Sequence, residues 1–292
     1  MPRSDAAPMK PSGGRELPVC NALWVGPALG PIEAACLRSF VEAGHRVDLH
    51  VFDEPTGVPS CIRLVDAAET VSRAHLIRHR RTGSFSLFSN RFRYELMRAG
   101  RGLWIDCDLL CLKPIVDAPY IFGIEDTRLI NGAVLKLPSD DPVLDDLLAP
   151  FTEPRWVPPW ASLRRRLRYR LRYRIRPGFG LADMSWGTAG PRALTYYLGR
   201  RGLDRFALPR AVFYPVGPDE THLLVGVAAE AVRARIRPET LCIHLWNQQL
   251  ASADPAVPGS LVARIVDGSW REALDIAGPE IDRANLGALN PR

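Results

Sequence analysis

The sequence predicts an α/β fold with parallel strands in its central sheet. Three observations predict it. Residues 21–52 read strand, helix, strand. A short apolar run, Gly102 to Leu110, carries two aspartates one residue apart. Strand-like runs then keep alternating with helical spacing as far as residue 247.

Asn21 to Val25 is the first strand, broken by Gly26-Pro27. Pro31 to Ala43 has helical spacing in Ile32, Ala35, Cys36 and Phe40, with a proline at its start, and Gly44 ends it. Val47 to Phe52 alternates and is the second strand. Such a unit implies a parallel sheet with a right-handed crossover. The loop Gly26 to Gly30 then lies at the carboxyl end of the first strand, where open α/β sheets bind ligands. It is not a GxGxxG fingerprint, so no dinucleotide is indicated.

Ser86 to Ala99 reads as a helix with apolar Leu87, Phe88, Phe92, Leu96 and Met97. Ser89, Asn90, Arg91, Arg93, Tyr94 and Glu95 fall on its other faces, and Gly100 stops it. The run Gly102 to Leu110 follows as a buried strand. Tyr120 to Ile124 is strand-like, and Asn131-Gly132 reads as a tight turn before apolar Ala133, Val134 and Leu135. Asp140 to Leu148 is a helix, and Met184 to Pro191 a loop opening another, Arg192 to Arg200. Val212 to Val216 is a short strand, and Leu241 to Asn247 a last apolar run. Helical patches follow at Gly259 to Val266 and Trp270 to Ile276.

A chain of 292 residues holds one large α/β domain or two small ones. No run of 18 apolar residues predicts a membrane span. Met1 to Glu16 is polar and reads as a loose tail rather than a signal peptide. Six scattered cysteines (Cys20, Cys36, Cys61, Cys107, Cys111, Cys242) without a CxxC suggest free buried thiols in a reducing compartment, hence a cytoplasmic protein. The net charge is +6, yet residues 155–176 hold nine arginines and no acid, so the remainder carries −3. From residue 167 to 176 arginine alternates with Leu, Tyr and Ile, which is strand periodicity, while Trp160, Leu163, Leu167 and Leu171 share a helical stripe. Either form offers guanidinium groups to an anionic membrane surface or to nucleic acid. No RNA-binding signature supports the second.

Acids are seldom buried unless paired or bound to metal. Asp106 and Asp108 at a strand end therefore suit a hard cation, the alternative being a plain turn. Asn90 and Arg93 sit one helical turn apart and could face one ligand, or be part of a solvated face. Gly187 lies in a loop that opens a helix, a place for an anion. Asp183 is the acid near that loop. His244, alone in an apolar run, reads as a core or capping residue.

Four stretches carry a resemblance to a known family. They are Leu23-Trp24-Val25-Gly26; Phe88 to Leu96 followed by Gly102 to Asp108; Trp186 to Pro191; and Ile243 to Asn247. In this order they resemble bacterial sugar transferases with a DXD sugar-binding region. That is glycosyltransferase family thirty-two, close to its capsular and α-1,4-galactosyltransferase-like members. The resemblance implies a GT-A fold: one Rossmann-like nucleotide-binding domain with a mixed central sheet and helical additions on the acceptor side. Its implied layout is a flexible tail (1–16) and one domain (17–292). Within the domain lie a nucleotide-sugar half (about 17–125), an acceptor half (about 126–250), a basic insertion (155–176) and a C-terminal helical segment (251–292).

The resemblance further implies a nucleotide-sugar donor, UDP-linked, a glycan or glycolipid acceptor, retention at the anomeric carbon, and Mn²⁺ or Mg²⁺. Asp106, Asp108 and His244 would hold the metal, and an imidazole ligand would favour Mn²⁺. Asp106, Asp108 and Asn131 would serve catalysis. Trp24, Val25 and Gly26 would meet the base. Asn90, Arg93, Tyr94, Gly187 and Trp246 would complete the donor pocket with Asp106. The family often has Asp where this chain has Asn90; there that acid and the Arg three residues later, matched here by Arg93, hold sugar hydroxyls. Such an enzyme would sit in the cytoplasm or at the inner membrane face. Two other readings fit part of the sequence: a non-catalytic nucleotide-sugar or carbohydrate-binding relative, and a nucleic-acid binder using the basic patch.

Overall fold

In the computed structural model residues 17–126, 128–250 and 256–276 are described. The tail to residue 16, and residues 251–255 and 277–292 of the expected C-terminal segment, lie outside the described residues. Strand β1 (Cys20–Trp24) leads through helix α1 (Pro31–Glu42) to β2 (Val47–Val51) and β3 (Arg63–Asp66). Helix α2 (Ser86–Arg98) returns the chain to β4 (Leu103–Ile105), and β5 (Leu109–Cys111), β6 (Ile121–Ile124) and β7 (Ile130–Lys136) follow. Next come α3 (Val143–Thr152), α4 (Leu163–Ile175) and α5 (Pro191–Arg200). Single helical turns α6 (Arg210–Phe213), α7 (His222–Val225) and α8 (Glu230–Arg233) precede β8 (Cys242–His244). The described chain closes with α9 (Asn247–Leu250), α10 (Leu261–Asp267) and α11 (Trp270–Ala273).

Six strands form one mixed sheet in the order β3-β2-β1-β4-β7-β6. β1 to β4 run parallel, and β7 is antiparallel to both β4 and β6. The chain steps outward from β1 to β3 and then returns to the other side of β1 at β4. That reversal opens a crevice at the carboxyl ends of β1 and β4, the usual ligand position in open α/β sheets. β5 and β8 form a separate antiparallel pair.

Both faces of the sheet are covered, which explains the unbroken apolar run of β4. Leu103 and Ile105 pack into one layer with Leu37 and Phe40 of α1. Trp104 points the other way, into a second layer with Phe88 and Phe92 of α2. Each such side chain, fully buried, stabilises the fold by roughly 1.5–3 kcal/mol relative to exposure.

Four local expectations are corrected. The run Gly102 to Leu110 is not one strand: β4 ends at Ile105, Cys107 and Asp108 form a turn, and β5 starts at Leu109 in the other sheet. Gly102 makes the approach to β4 possible, because its φ is +100° and a Cβ there would lie 2.6 Å from the Val19 carbonyl oxygen. Asn131-Gly132 is not a turn but part of β7. The turn lies earlier, where Asp126 Oδ1 accepts from the N–H groups of Arg128 (2.8 Å) and Leu129 (2.9 Å). Val212 to Val216 is not a strand: its first residues end α6, and Val212, Phe213, Tyr214 and Val216 are buried in non-strand backbone. Periodicity does not separate a buried helical turn from a strand in so short an apolar run. Of the two periods that the basic stretch allows, the fold takes the helical one, from Leu163 to Ile175. Of the cysteines, Cys61 is exposed rather than buried. Among the described residues no helix is long and apolar enough to cross a membrane.

Candidate metal centre

The centre is built where β4 ends and β8 returns. Leu109 pairs with His244 across the β5–β8 ladder, which sets the imidazole beside Asp108. His244 Nε2 lies 3.2 Å from Asp108 Oδ1, and the Asn247 N–H donates to Asp108 Oδ2 at 2.9 Å. The Leu245 N–H also donates to the Asp108 carbonyl (2.9 Å), so the turn and the late strand lock together. Trp246, with φ 56°, folds its ring to 4.1 Å from the imidazole and donates from Nε1 to the Val216 carbonyl.

Asp106 is held from behind. Its Oδ1 accepts from Arg93 Nη2 (2.9 Å) and from Trp104 Nε1 (2.8 Å). A buried indole N–H needs an acceptor, and here the acceptor is a site carboxylate. Asp106 Oδ2 has no hydrogen-bond partner among the described residues. Arg93 is fixed in turn by the Ser89 hydroxyl (3.1 Å), by the Gly132 carbonyl and by the Trp104 ring 4.9 Å away. Gly132 allows that approach: a Cβ there would meet Arg93 Nη1 at 2.8 Å.

Asp106, Asp108 and His244 offer ligand atoms that all lie within 4.8 Å of one another. An ion bonded at about 2.1 Å spans about 4.2 Å between opposite ligands. Adjacent ligands of such an ion stand only about 3 Å apart, so side-chain movements on the order of an ångström would close the set on a divalent cation. Two carboxylates and one imidazole suit Mn²⁺. Burial pushes the Asp108 carboxyl up, but the neighbouring His244 charge and hydrogen bond and the Asn247 N–H outweigh it and leave it below the usual range. Burial likewise pushes His244 down, and Asp108 more than compensates, so the imidazole ends above its ordinary value.

The centre forms one wall of a cavity of about 470 Å³, within the usual range for a small-molecule site. Asn90 and Arg93 of α2, Asn131 of β7, Gly187, His244, Trp246 and both aspartates line it. The polar face of α2 is thus not solvated: Asn90 and Arg93 are buried. The Asn90 amide hydrogen-bonds to no described residue. Arg93, by contrast, spends its donors on protein groups. Five residues that the sequence singled out are not brought in. Trp24, Val25 and Gly26 end β1 half-buried, with the indole donating to the Ala28 carbonyl of its own loop (3.0 Å). Tyr94 is fully buried in the second layer and donates to the Ala189 carbonyl. Asp183 lies outside the cavity, paired with Arg80 and Arg176.

Sequence reasoning missed Glu125, which lines the cavity and accepts from Asn131 Nδ2 at 2.7 Å. Burial pushes its carboxyl up, while the Asn131 hydrogen bond and the His244 charge pull it part of the way back. Its signal was available: like Asp106, it is an acid directly following an apolar strand. Trp104 was read only as strand core. No protein-family model matches this chain, and no curated protein matches it.

Proposed function

We propose that this chain is a metal-dependent, retaining glycosyltransferase of the GT-A type. It moves a hexose from a nucleotide sugar, UDP-linked, to a surface polysaccharide or lipid-linked glycan. The observation that carries this reading is the Asp106–Asp108–His244 set on the wall of a cavity whose other polar groups, Asn90, Asn131 and Glu125, converge from separate elements.

Asp106, Asp108 and His244 would hold Mn²⁺ or Mg²⁺. When bound, the ion supplies charge stabilisation to the departing nucleoside diphosphate. Arg93 and Trp104 act on Asp106 Oδ1 and keep Oδ2 available. His244 and Asn247 fix both oxygens of Asp108. The unpartnered Asn90 amide offers both a donor and an acceptor to sugar hydroxyls. The Glu125 carboxyl, raised by burial, is suited to take the proton of an acceptor hydroxyl.

The test is a panel of nucleotide sugars assayed for binding, hydrolysis and transfer with and without Mn²⁺. Metal-dependent turnover that Asp108→Ala abolishes is expected. No nucleotide binding in the presence of metal, with Asp108→Ala indistinguishable from the wild type, overturns the reading. Binding without turnover across all acceptors replaces it with the non-catalytic alternative.

A further inference from the structure

Helix α4 carries a second surface, unrelated to the cavity chemistry. Its buried side is narrow. Tyr169 stacks on Phe179 (centroids 6.1 Å), and Tyr173 meets the same ring edge-on at 5.0 Å. The Tyr173 hydroxyl donates to the Trp156 carbonyl at 2.8 Å. These contacts hold the helix to the body of the protein by its aromatic face.

The opposite face is apolar and bare. Leu163, Leu167, Leu171 and Ile175 are 68%, 53%, 54% and 68% exposed. At four-residue spacing they fall within about 120° of one another, a continuous stripe running roughly 20 Å along the helix. A soluble helix normally turns such a stripe inward, and an exposed one marks an interaction surface.

The charge on the helix identifies the partner's chemistry. Between Leu163 and Ile175 stand seven arginines and no acid, and six of the seven are exposed. Among the described residues no carboxylate pairs with any of them. The rest of the chain is net negative, so the helix is a local positive pole on an otherwise acidic molecule. A second copy of the chain is disfavoured, because two such faces repel. Nucleic acid would satisfy the arginines but would leave four aliphatic side chains against phosphate and sugar. An anionic bilayer satisfies both: the aliphatic stripe enters the headgroup–acyl boundary while flanking guanidinium groups reach the phosphates.

We propose that α4 is an in-plane docking helix for an anionic lipid surface. Full-length protein is tested by sedimentation with vesicles of phosphatidylglycerol and phosphatidylcholine, against vesicles of phosphatidylcholine alone, at physiological salt. Binding to the anionic vesicles only is expected. The variant with Arg164, Arg168, Arg172 and Arg174 each changed to Gln should lose partition on the order of a hundredfold or more. The variant with Leu163, Leu167, Leu171 and Ile175 each changed to Gln should still bind at low salt and be released when salt is raised, because screening leaves nothing to replace the stripe. All eight positions are exposed, and matching thermal midpoints check that loss of binding is not loss of fold. The proposal is overturned if the wild type fails to sediment with anionic vesicles, or if both variants bind as the wild type does. It is also overturned if duplex DNA at equal phosphate concentration strips the protein from the vesicles.

Discussion

Arg93 and Asp106 form a nearly buried ion pair, and its coupling should be large enough to measure. The side chains are 8% and 27% exposed, with the atoms 2.9 Å apart. An exposed pair couples by about 0.2–1 kcal/mol, whereas breaking a buried one costs about 3–5 kcal/mol. Arg93 lies at the buried end of that range and Asp106 part of the way out, so a coupling of about 2 kcal/mol is expected. Arg93→Met should cost more in total, about 3–5 kcal/mol, because the Gly132 carbonyl and the Ser89 hydroxyl lose their donor too. A double-mutant cycle of Arg93→Met, Asp106→Asn and the pair, followed by urea unfolding without metal, isolates the coupling. In a separate variant, Arg93→Lys, Mn²⁺ titration should show the metal weakened by about 10–100-fold, the usual cost of removing a partner that orients a ligand. A coupling below about 0.5 kcal/mol, together with unchanged Mn²⁺ affinity, would refute the role of Arg93 as the positioning residue of Asp106.

Further expectations can be checked with simple variants. Gly102→Ala should destabilise by about 2–4 kcal/mol, since it combines a positive φ with a backbone clash at Val19; a urea midpoint within error of the wild type would contradict this. Burial pushes His50 down from 6.5 to about 4. The unfolded chain therefore binds a proton that the folded one refuses. Stability should be full above pH 6.5 and fall by up to about 3 kcal/mol as the pH drops towards 4. His50→Gln should flatten that slope, and parallel slopes would dismiss the assignment. Mn²⁺ must displace the proton that Asp108 helps His244 retain. Affinity by calorimetry should accordingly be weaker at about pH 6 than at about pH 8, with proton release on binding; equal affinities would count against His244 as a ligand.

What the sequence revealed was local. Asn90 and Arg93 are three residues apart on one helix, and Asp106 and Asp108 follow one strand, so their shared use could be read from spacing alone. What Arg93 does could not. The resemblance assigns it sugar hydroxyls, while in the fold its donors go to Asp106, Gly132 and Ser89, because β7 passes behind α2. The pairing of Leu109 with His244 was equally hidden, since a strand's register depends on a partner far along the chain. Glu125 is hidden for a different reason: the run Tyr120 to Ile124 shows only hydrophobicity, and nothing in the sequence but its place distinguishes the acid after it from an ordinary turn residue. For α4 the pattern offered two periods. The choice between them was settled by packing, with Tyr169 and Tyr173 finding Phe179 and leaving the leucines outside.

The β5–β8 ladder also sets a timetable. Arg93 and Asp106 are 13 residues apart and can meet early, but His244 follows Asp108 by 136. At about 5–20 residues per second, a ribosome needs roughly 7–30 s to make the intervening chain. Throughout that interval β5 has no hydrogen-bonding neighbour, and Asp108 lacks both groups that later hold it. The nascent protein therefore carries half a centre and an open strand edge until nearly the whole chain has emerged. A chain cut between residues 137 and 241 would keep Asp106, Arg93 and β7, yet lack His244 and Asn247, the two groups that hold Asp108.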